Sequence, residues 1–437
     1  GSRPQHSWEK VRDDVQKVTD YRYMRILRFN LLTINAWPGE EIGEGLYKYR
    51  DLQSFIQISL TLCCFVSGIV YLVKNSDKSF YELGHMIVTC MMGFVQFSCM
   101  FLIILLTLPQ TRKYRNLARL FLTKMHLLFF KDKSEYAMRV KNTQYYYLCN
   151  TILGYSVRQM ICGLILFNVI PMWSNYAAGN YKQRVLYNTT YEHSLYLSVP
   201  LLKVYTHFDA YMVVFIYNWL MSYLCSVTIC MLDLLLSLMV INLWGHLKIL
   251  LHDLEAFPLP AHKPVLSMDE GNISVSVEMY SEDELKQISQ KLTQCIEYHR
   301  LIKDFTDDMS ETFGPMLFIY YTFHQVSGCL LLLECSQMTA EALMRYLPLS
   351  AIVFQQLIQI SVIFELLGST SEKLKDAVYG VPWQFMDTKN RKIVAMFLYH
   401  VQEPIHVKAL GVVNVGVTTM ATILKTSLSY FTFLRSM

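Results

Sequence analysis

Apolar residues in this chain gather into runs of about 20, the length one bilayer-crossing helix needs. Seven runs stand out, at roughly 52–73, 85–108, 149–173, 210–232, 313–333, 345–367 and 409–434. Lys74 and Pro109 close the first two. The fourth stays apolar as far as Trp244, too long for a single crossing. Its helix is expected to leave the membrane near Asp233 and continue in water, packed on protein. The pattern predicts an all-α membrane protein with seven transmembrane helices.

Between the runs the pattern changes. Residues 109–148 mix basic and aromatic side chains at helical spacing. Residues 281–312 read as an amphipathic helix, with Ile288, Leu292, Ile296 and Leu301 on one side and a Ser281/Glu284 capping box at its start. The Pro-, Ser- and acid-rich stretch from Pro258 to Tyr280 is expected to be a disordered loop. No repeat and no strand-rich segment is evident. The chain divides into an N-terminal segment 1–51, four spans in 52–232 with connecting stretches 109–148 and 174–209, a helical extension and loop 233–312, two spans in 313–367, a helical segment 368–408 and a last span in 409–437.

Composition supports the membrane reading. Hydrophobic residues make up 53% and charged residues 17% of the chain, against about 25% charged in soluble domains. The net charge of +4 is too small to suggest a nucleic-acid partner. The charges are unevenly spread. Residues 1–51, 109–148, 233–312 and 368–408 hold about 30 of the 39 Lys and Arg residues, which places those segments in the cytoplasm. The N-terminus is then inside and, after seven crossings, the C-terminus outside. Asn188-Thr189-Thr190 falls in the outer loop, where Asn188 is a candidate glycosylation site, and Asn272-Ile273-Ser274 falls inside. Gly1-Ser2 looks like a tag remnant, and no signal peptide is expected after it.

Catalytic and metal-binding patterns are missing. HExxH, GxSxG, GxxxxGK[ST] and GxGxxG do not occur, and the histidines have no catalytic or ligand spacing. No enzyme activity, cofactor or metal is expected. His207 and Asp209 read as an interfacial pair, and the eleven cysteines as small buried hydrophobes without disulfides. Arg158 and Asp233 lie near one membrane boundary, where Arg158 can snorkel or pair with Asp233. A G-protein-coupled receptor is disfavoured by the inverted topology and by the absence of its D/E-R-Y and N-P-x-x-Y motifs. The outer halves of spans 2, 3, 4 and 6 are rich in aromatic residues and Met. Met91, Phe94, Leu164, Phe167, Tyr211, Phe215, Trp219 and Phe354 are the candidate ligand-binding residues, suited to an apolar ligand.

The last span differs from the others. At about 100° per residue, Val415, Thr418, Thr422, Thr426, Ser429, Phe433 and Ser436 fall within roughly 40° of one line. Val417, Met420, Leu424, Leu428, Phe431 and Leu434 lie opposite, with Ser427 and Arg435 as the polar members of that side. Met437 lies slightly off the stripe, and Lys425 sits at its edge. A narrow polar stripe either bonds a neighbouring helix or lines a water-filled path. Pattern alone leaves both open. In the second case Phe433 would form an apolar constriction.

The stretch Ile423-Leu424-Lys425-Thr426-Ser427-Leu428-Ser429-Tyr430-Phe431 resembles the C-terminal signature of insect odorant receptors, which are seven-span ligand-gated ion channels. Tyr379, Trp383, Gln402-Glu403-Pro404 and Gly411 fit the same pattern. The signature is that of the odorant-binding subunit type. The gustatory T-Y-x5-Q-F ending is absent. The resemblance implies a heterotetramer with co-receptor subunits around a pore lined by the last helix, with Thr422, Thr426, Ser429, Phe433 and Met437 facing it. It implies an anchor helix near 379–400, with Tyr379, Trp383 and Pro404 at the intersubunit contact. It implies a volatile, apolar ligand between spans 2, 3, 4 and 6, and a home in the plasma membrane of olfactory sensory neurons, in contact with lipid.

Overall fold

The computed structural model describes the chain from Lys17 to Ser436, except residues 46–48, 79, 106–107, 131–132, 188, 201, 262–265, 270–271, 276–278 and 337–339. Its helices follow in the order α1 (Arg22–Thr33), α2 (Arg50–Lys74), α3 (Phe80–Ile104), α4 (Pro109–Leu120), α5 (Glu135–Arg139), α6 (Tyr146–Leu164), α7 (Ile170–Ala177), α8 (Phe208–Glu255), α9 (Glu282–Cys335), α10 (Ala340–Glu372), α11 (Leu374–Tyr379), α12 (Thr388–His400) and α13 (Val417–Ser436). Two small antiparallel hairpins complete the described residues: β1 (Leu266–Asp269) with β2 (Asn272–Val275), and β3 (Lys408–Ala409) with β4 (Val413–Asn414).

Among the described residues, six helical stretches are long and apolar enough to cross a membrane by length and composition. Each overlaps one of the first six predicted spans, the second ending at Ile104 and not at 108. The seventh, α13, is not among them, because its hydroxyls and Lys425 dilute its apolar residues. It nevertheless packs along α9 and α10 within the bundle. Its 20 residues reach roughly 30 Å. The 48 residues of α8 and 54 of α9 reach roughly 72 and 81 Å. Both overshoot a bilayer core of about 30 Å by more than its thickness. Their surplus ends run together at one end of the bundle, here termed the extension end. Residues 178–207 fold over the opposite, loop end.

At the extension end, α8 is buried on nearly every side from Val227 to Leu251. The α9 helix starts with the expected capping box, Ser281 Oγ accepting from the Glu284 amide and the Glu284 carboxylate from the Ser281 amide. Ile288 and Leu292 point into the core as expected, but Leu301 is 38% exposed and Ile302 takes its place. Pro315 lacks the N–H that would bond the Glu311 carbonyl. Gln110 supplies the missing donor, bonding the Glu311 carbonyl at 3.1 Å and the Thr312 carbonyl beside it.

Four expectations change. The last span begins at Val417, not 409, because the β3–β4 hairpin intervenes, turning through Leu410 and Gly411 at positive φ. The segment 379–400 is not one helix. Pro382 breaks it, and α12 restarts at Thr388 with Asp387 capping its first turn. The stretch 258–280 holds the β1–β2 pair in its described part. Arg158 does not pair with Asp233: Arg158 lies over the Tyr155 ring at 4.6 Å, while Asp233 accepts from the Tyr320 hydroxyl at 2.8 Å.

Candidate ligand cavity and the polar terminal helix

The third span is two helices, α6 and α7, joined by a wide π turn over Ile165–Val169. Such turns inside helices recur at functional sites, since they re-aim side chains that regular geometry would bury elsewhere. Here the turn carries Phe167 and Asn168. Asn168 is fully buried and ties three elements together: its Oδ1 accepts from Ser194 Oγ of the loop-end segment at 3.3 Å and from Ser222 Oγ of α8 at 3.4 Å. Its Nδ2 donates to the Leu164 carbonyl.

Beside this joint lies a cavity of about 30 Å³ between α2, α3, the π turn and α8, with Leu195 as its roof. Phe167, Met92 and Met221 form its apolar walls, Gly93 leaves room beside Phe65, and Thr89, Gln96, Ser222 and Ser226 supply its polar groups. A second cavity of about 10 Å³ shares Cys64, Thr89, Gly93 and Leu195 with it. A volume this small accommodates a water-sized group. A larger ligand has to move the methionines, whose three rotatable bonds make them compliant. A larger groove of about 600 Å³ lies between α9 and α12 at the extension end. Its mouth carries Arg300, Lys303, Asp304 and Asp307, and Ile296, Ile393, Met396 and Phe397 form its apolar walls.

The eight ligand residues expected from sequence are dispersed. Phe167 alone lines the cavity. Met91 packs on the main core, Phe94 on Phe65 at 5.4 Å, and the Leu164 carbonyl is held by Asn168. Tyr211 is buried under the loop end, stacked on Tyr191 at 4.5 Å, its hydroxyl 2.9 Å from that of Tyr181. Phe215 stacks on Tyr211, and Trp219 is exposed on the outside of α8. Phe354 closes on Gly328 of α9, next to Ser427. The aromatic residues of α8 thus hold the cover in place. His193, inside that cover, donates from Nε2 to the Val204 carbonyl at 3.0 Å, and burial pushes its pKa down to about 4. Sequence reasoning did not single out Gln96, Ser222 or Asn168. The one available signal was three side chains able to hydrogen-bond inside apolar spans.

One narrow face of α13 is buried, while most of its circumference, Leu428 and Tyr430 included, is exposed. Ile423 and Ser427 are buried, and Ser427 Oγ donates to the Gln325 carbonyl of α9 at 3.1 Å. Thr422, Ser429 and Phe433 are exposed and Thr426 is half-buried. Met437 lies outside the described residues, as does Asn188. The stripe hydroxyls donate back along the helix, Thr422 to Thr418 O, Thr426 to Thr422 O and Ser429 to Lys425 O, at 2.7–3.0 Å. Their protons are spent, so lone pairs face outward. At its start, α13 is capped from α10: the Val417 amide donates to Glu365 Oε2 at 3.0 Å. Tyr379 and Trp383 are both exposed, with ring centroids 6.4 Å apart, and Pro404 is half-buried.

The fold is that of a polytopic helical membrane protein. The family model described as "7tm Odorant receptor" matches residues 85–428. Two similar Drosophila melanogaster proteins are odorant receptor 85c, 24% identical over 152 residues, and odorant receptor 42a, 24% identical over 159 residues. These stretches cover 34% and 36% of this chain and 39% of each relative. Among solved structures, the insect olfactory receptor OR5 from Machilis hrabei superposes with a TM-score of 0.74 over 98% of this chain and 99% of that one, at 13% identity. Its complex with eugenol superposes at 0.72 over 95% of this chain and 99% of that one. The chain belongs to the seven-transmembrane odorant receptor family. It is a multi-pass membrane protein of a receptor family, not of an enzyme family.

Proposed function

We propose that this chain is the odorant-binding subunit of a heterotetrameric, ligand-gated, non-selective cation channel, assembled with co-receptor subunits in the plasma membrane of olfactory sensory neurons. The extension end is cytoplasmic and the loop end extracellular, following the excess of Lys and Arg in segments 1–51, 109–148, 233–312 and 368–408. The single observation that carries the reading is the uncovered hydroxyl face of α13. A face bearing Thr418, Thr422 and Ser429 gains nothing from contact with lipid. A ring of subunits would turn it toward a shared aqueous path, and outward lone pairs suit a cation. Exposed Tyr379 and Trp383, with Met396 and Tyr399 of α12, offer the apolar area for subunit contact at the cytoplasmic end.

The ligand is a small volatile, as the eugenol complex of the Machilis receptor suggests for its relative. It enters the cavity beneath Leu195. Because the closed cavity is water-sized, a volatile fits only when α3, α8 and the π turn move apart, so it binds an expanded state better than this one. That difference in affinity is what shifts a closed-to-open equilibrium. Expression with a co-receptor subunit should give odorant-evoked cation currents, and expression alone should give none. Full-sized currents from this chain alone would contradict the heteromer. The absence of odorant currents with the co-receptor, despite surface expression, would contradict the receptor reading.

A further inference from the structure

We infer that Gln96 is a polar anchor in the cavity and selects ligands that carry a hydrogen-bond-accepting oxygen, such as ketones, esters and ethers. This rests on the cavity being the odorant site. Gln96 is 2% exposed and belongs to the apolar span α3. Its side-chain Nε2 is buried and has no hydrogen-bond partner among the described residues. An amide donor left unpaired in such surroundings bears its desolvation penalty uncompensated, and native folds rarely leave one so.

Two other hydroxyls of the cavity are already engaged, while the half-buried Ser226 also lines it. Thr89 Oγ1 donates to the Met86 carbonyl, and Ser222 Oγ donates to Asn168 Oδ1. Gln96 alone among these three keeps a free donor. Around it the walls are Phe167, Met92, Met221 and Cys225. The site therefore offers the buried Gln96 amide, with the half-buried Ser226 hydroxyl at its α8 wall, in a largely apolar, compliant hole, an arrangement that recognises an acceptor oxygen on a hydrocarbon body. A molecule without that oxygen leaves the amide unpaired, which makes the discrimination larger than the gain of one hydrogen bond alone.

Two variants and two probes separate the claims. The probes are heptan-2-one and 2-methylhept-1-ene, which share a shape and differ in C=O against C=CH2. The readout is half-maximal concentration for currents in cells co-expressing the co-receptor. In the unmodified receptor the ketone should act at about tenfold lower concentration than the alkene. Gln96→Met keeps the side-chain length and should erase that preference by weakening the ketone alone. Gly93→Leu fills the cavity without touching the amide and should weaken both probes. If Gly93→Leu leaves both unchanged, the cavity is not the odorant site, and the reading of the site fails together with the anchor. If Gly93→Leu weakens both while Gln96→Met shifts both equally or neither, the cavity stands and Gln96 is only a wall or the partner of a water, which overturns the anchor.

Discussion

His126 shows how a single residue locks the extension end. It is fully buried, with its Nε2 3.1 Å from the hydroxyls of both Tyr23 and Tyr145, while the Leu128 amide donates to its Nδ1 at 3.1 Å. Acceptance at Nδ1 places the ring proton on Nε2, the neutral tautomer. Burial holds its pKa down to about 3, against the usual 6.5. The folded state then binds fewer protons than the unfolded chain between those values, so this contribution to stability is complete above pH 6.5 and is lost as pH falls toward 3. His126→Leu should cost about 1–3 kcal/mol by stranding the two hydroxyls and the amide. Thermal unfolding of the purified chain at pH 7.5 and 5 should show a smaller loss on acidification for the variant than for the parent. Equal losses would show that His126 does not titrate on unfolding. No sequence pattern marked His126, because its partners come from segments about 20 and 100 residues away.

At the scale of elements, helix existence was legible and helix interruption was not. Runs of 20 apolar residues gave the first six spans, and Ser281 with Glu284 gave the start of α9. The π turn at Ile165–Val169 left no mark on the apolar pattern, yet it places Phe167 in the cavity and the neighbouring candidates outside it. Likewise the 409–434 run hid a hairpin, because Val412, Val413 and Val415 extend the apolar signal while Leu410 and Gly411 turn the chain. That hairpin sets where α13 begins, and Glu365 caps it there. A carboxylate at a helix N-terminus favours the aligned peptide dipoles, and losing such a cap costs about 1 kcal/mol. If the cap belongs to the closed state, Glu365→Ala should raise spontaneous current about fivefold relative to the odorant-evoked maximum, and Glu365→Gln should do less. A spontaneous fraction that is unchanged or lower in Glu365→Ala would rule out a closed-state cap.

For the whole molecule, the resemblance of Ile423–Phe431 to odorant receptors and the family match over residues 85–428 agree, although the curated relatives align over only about a third of the chain. Sequence alone left open whether the hydroxyl stripe bonds a neighbour helix or faces water. Packing divides the answer: Ser427, on the back, bonds α9, and the hydroxyls of Thr422, Thr426 and Ser429 bond their own backbone, Thr422 and Ser429 staying exposed. The central claim is that this uncovered face lines the ion path. Single cysteines at Thr422, Ser429, Ile423 and Ser427, with a charged thiol reagent applied from outside during odorant-evoked current, test it most directly. The account predicts block at positions 422 and 429 and none at 423 and 427. Block at the second pair, or at neither, would contradict it.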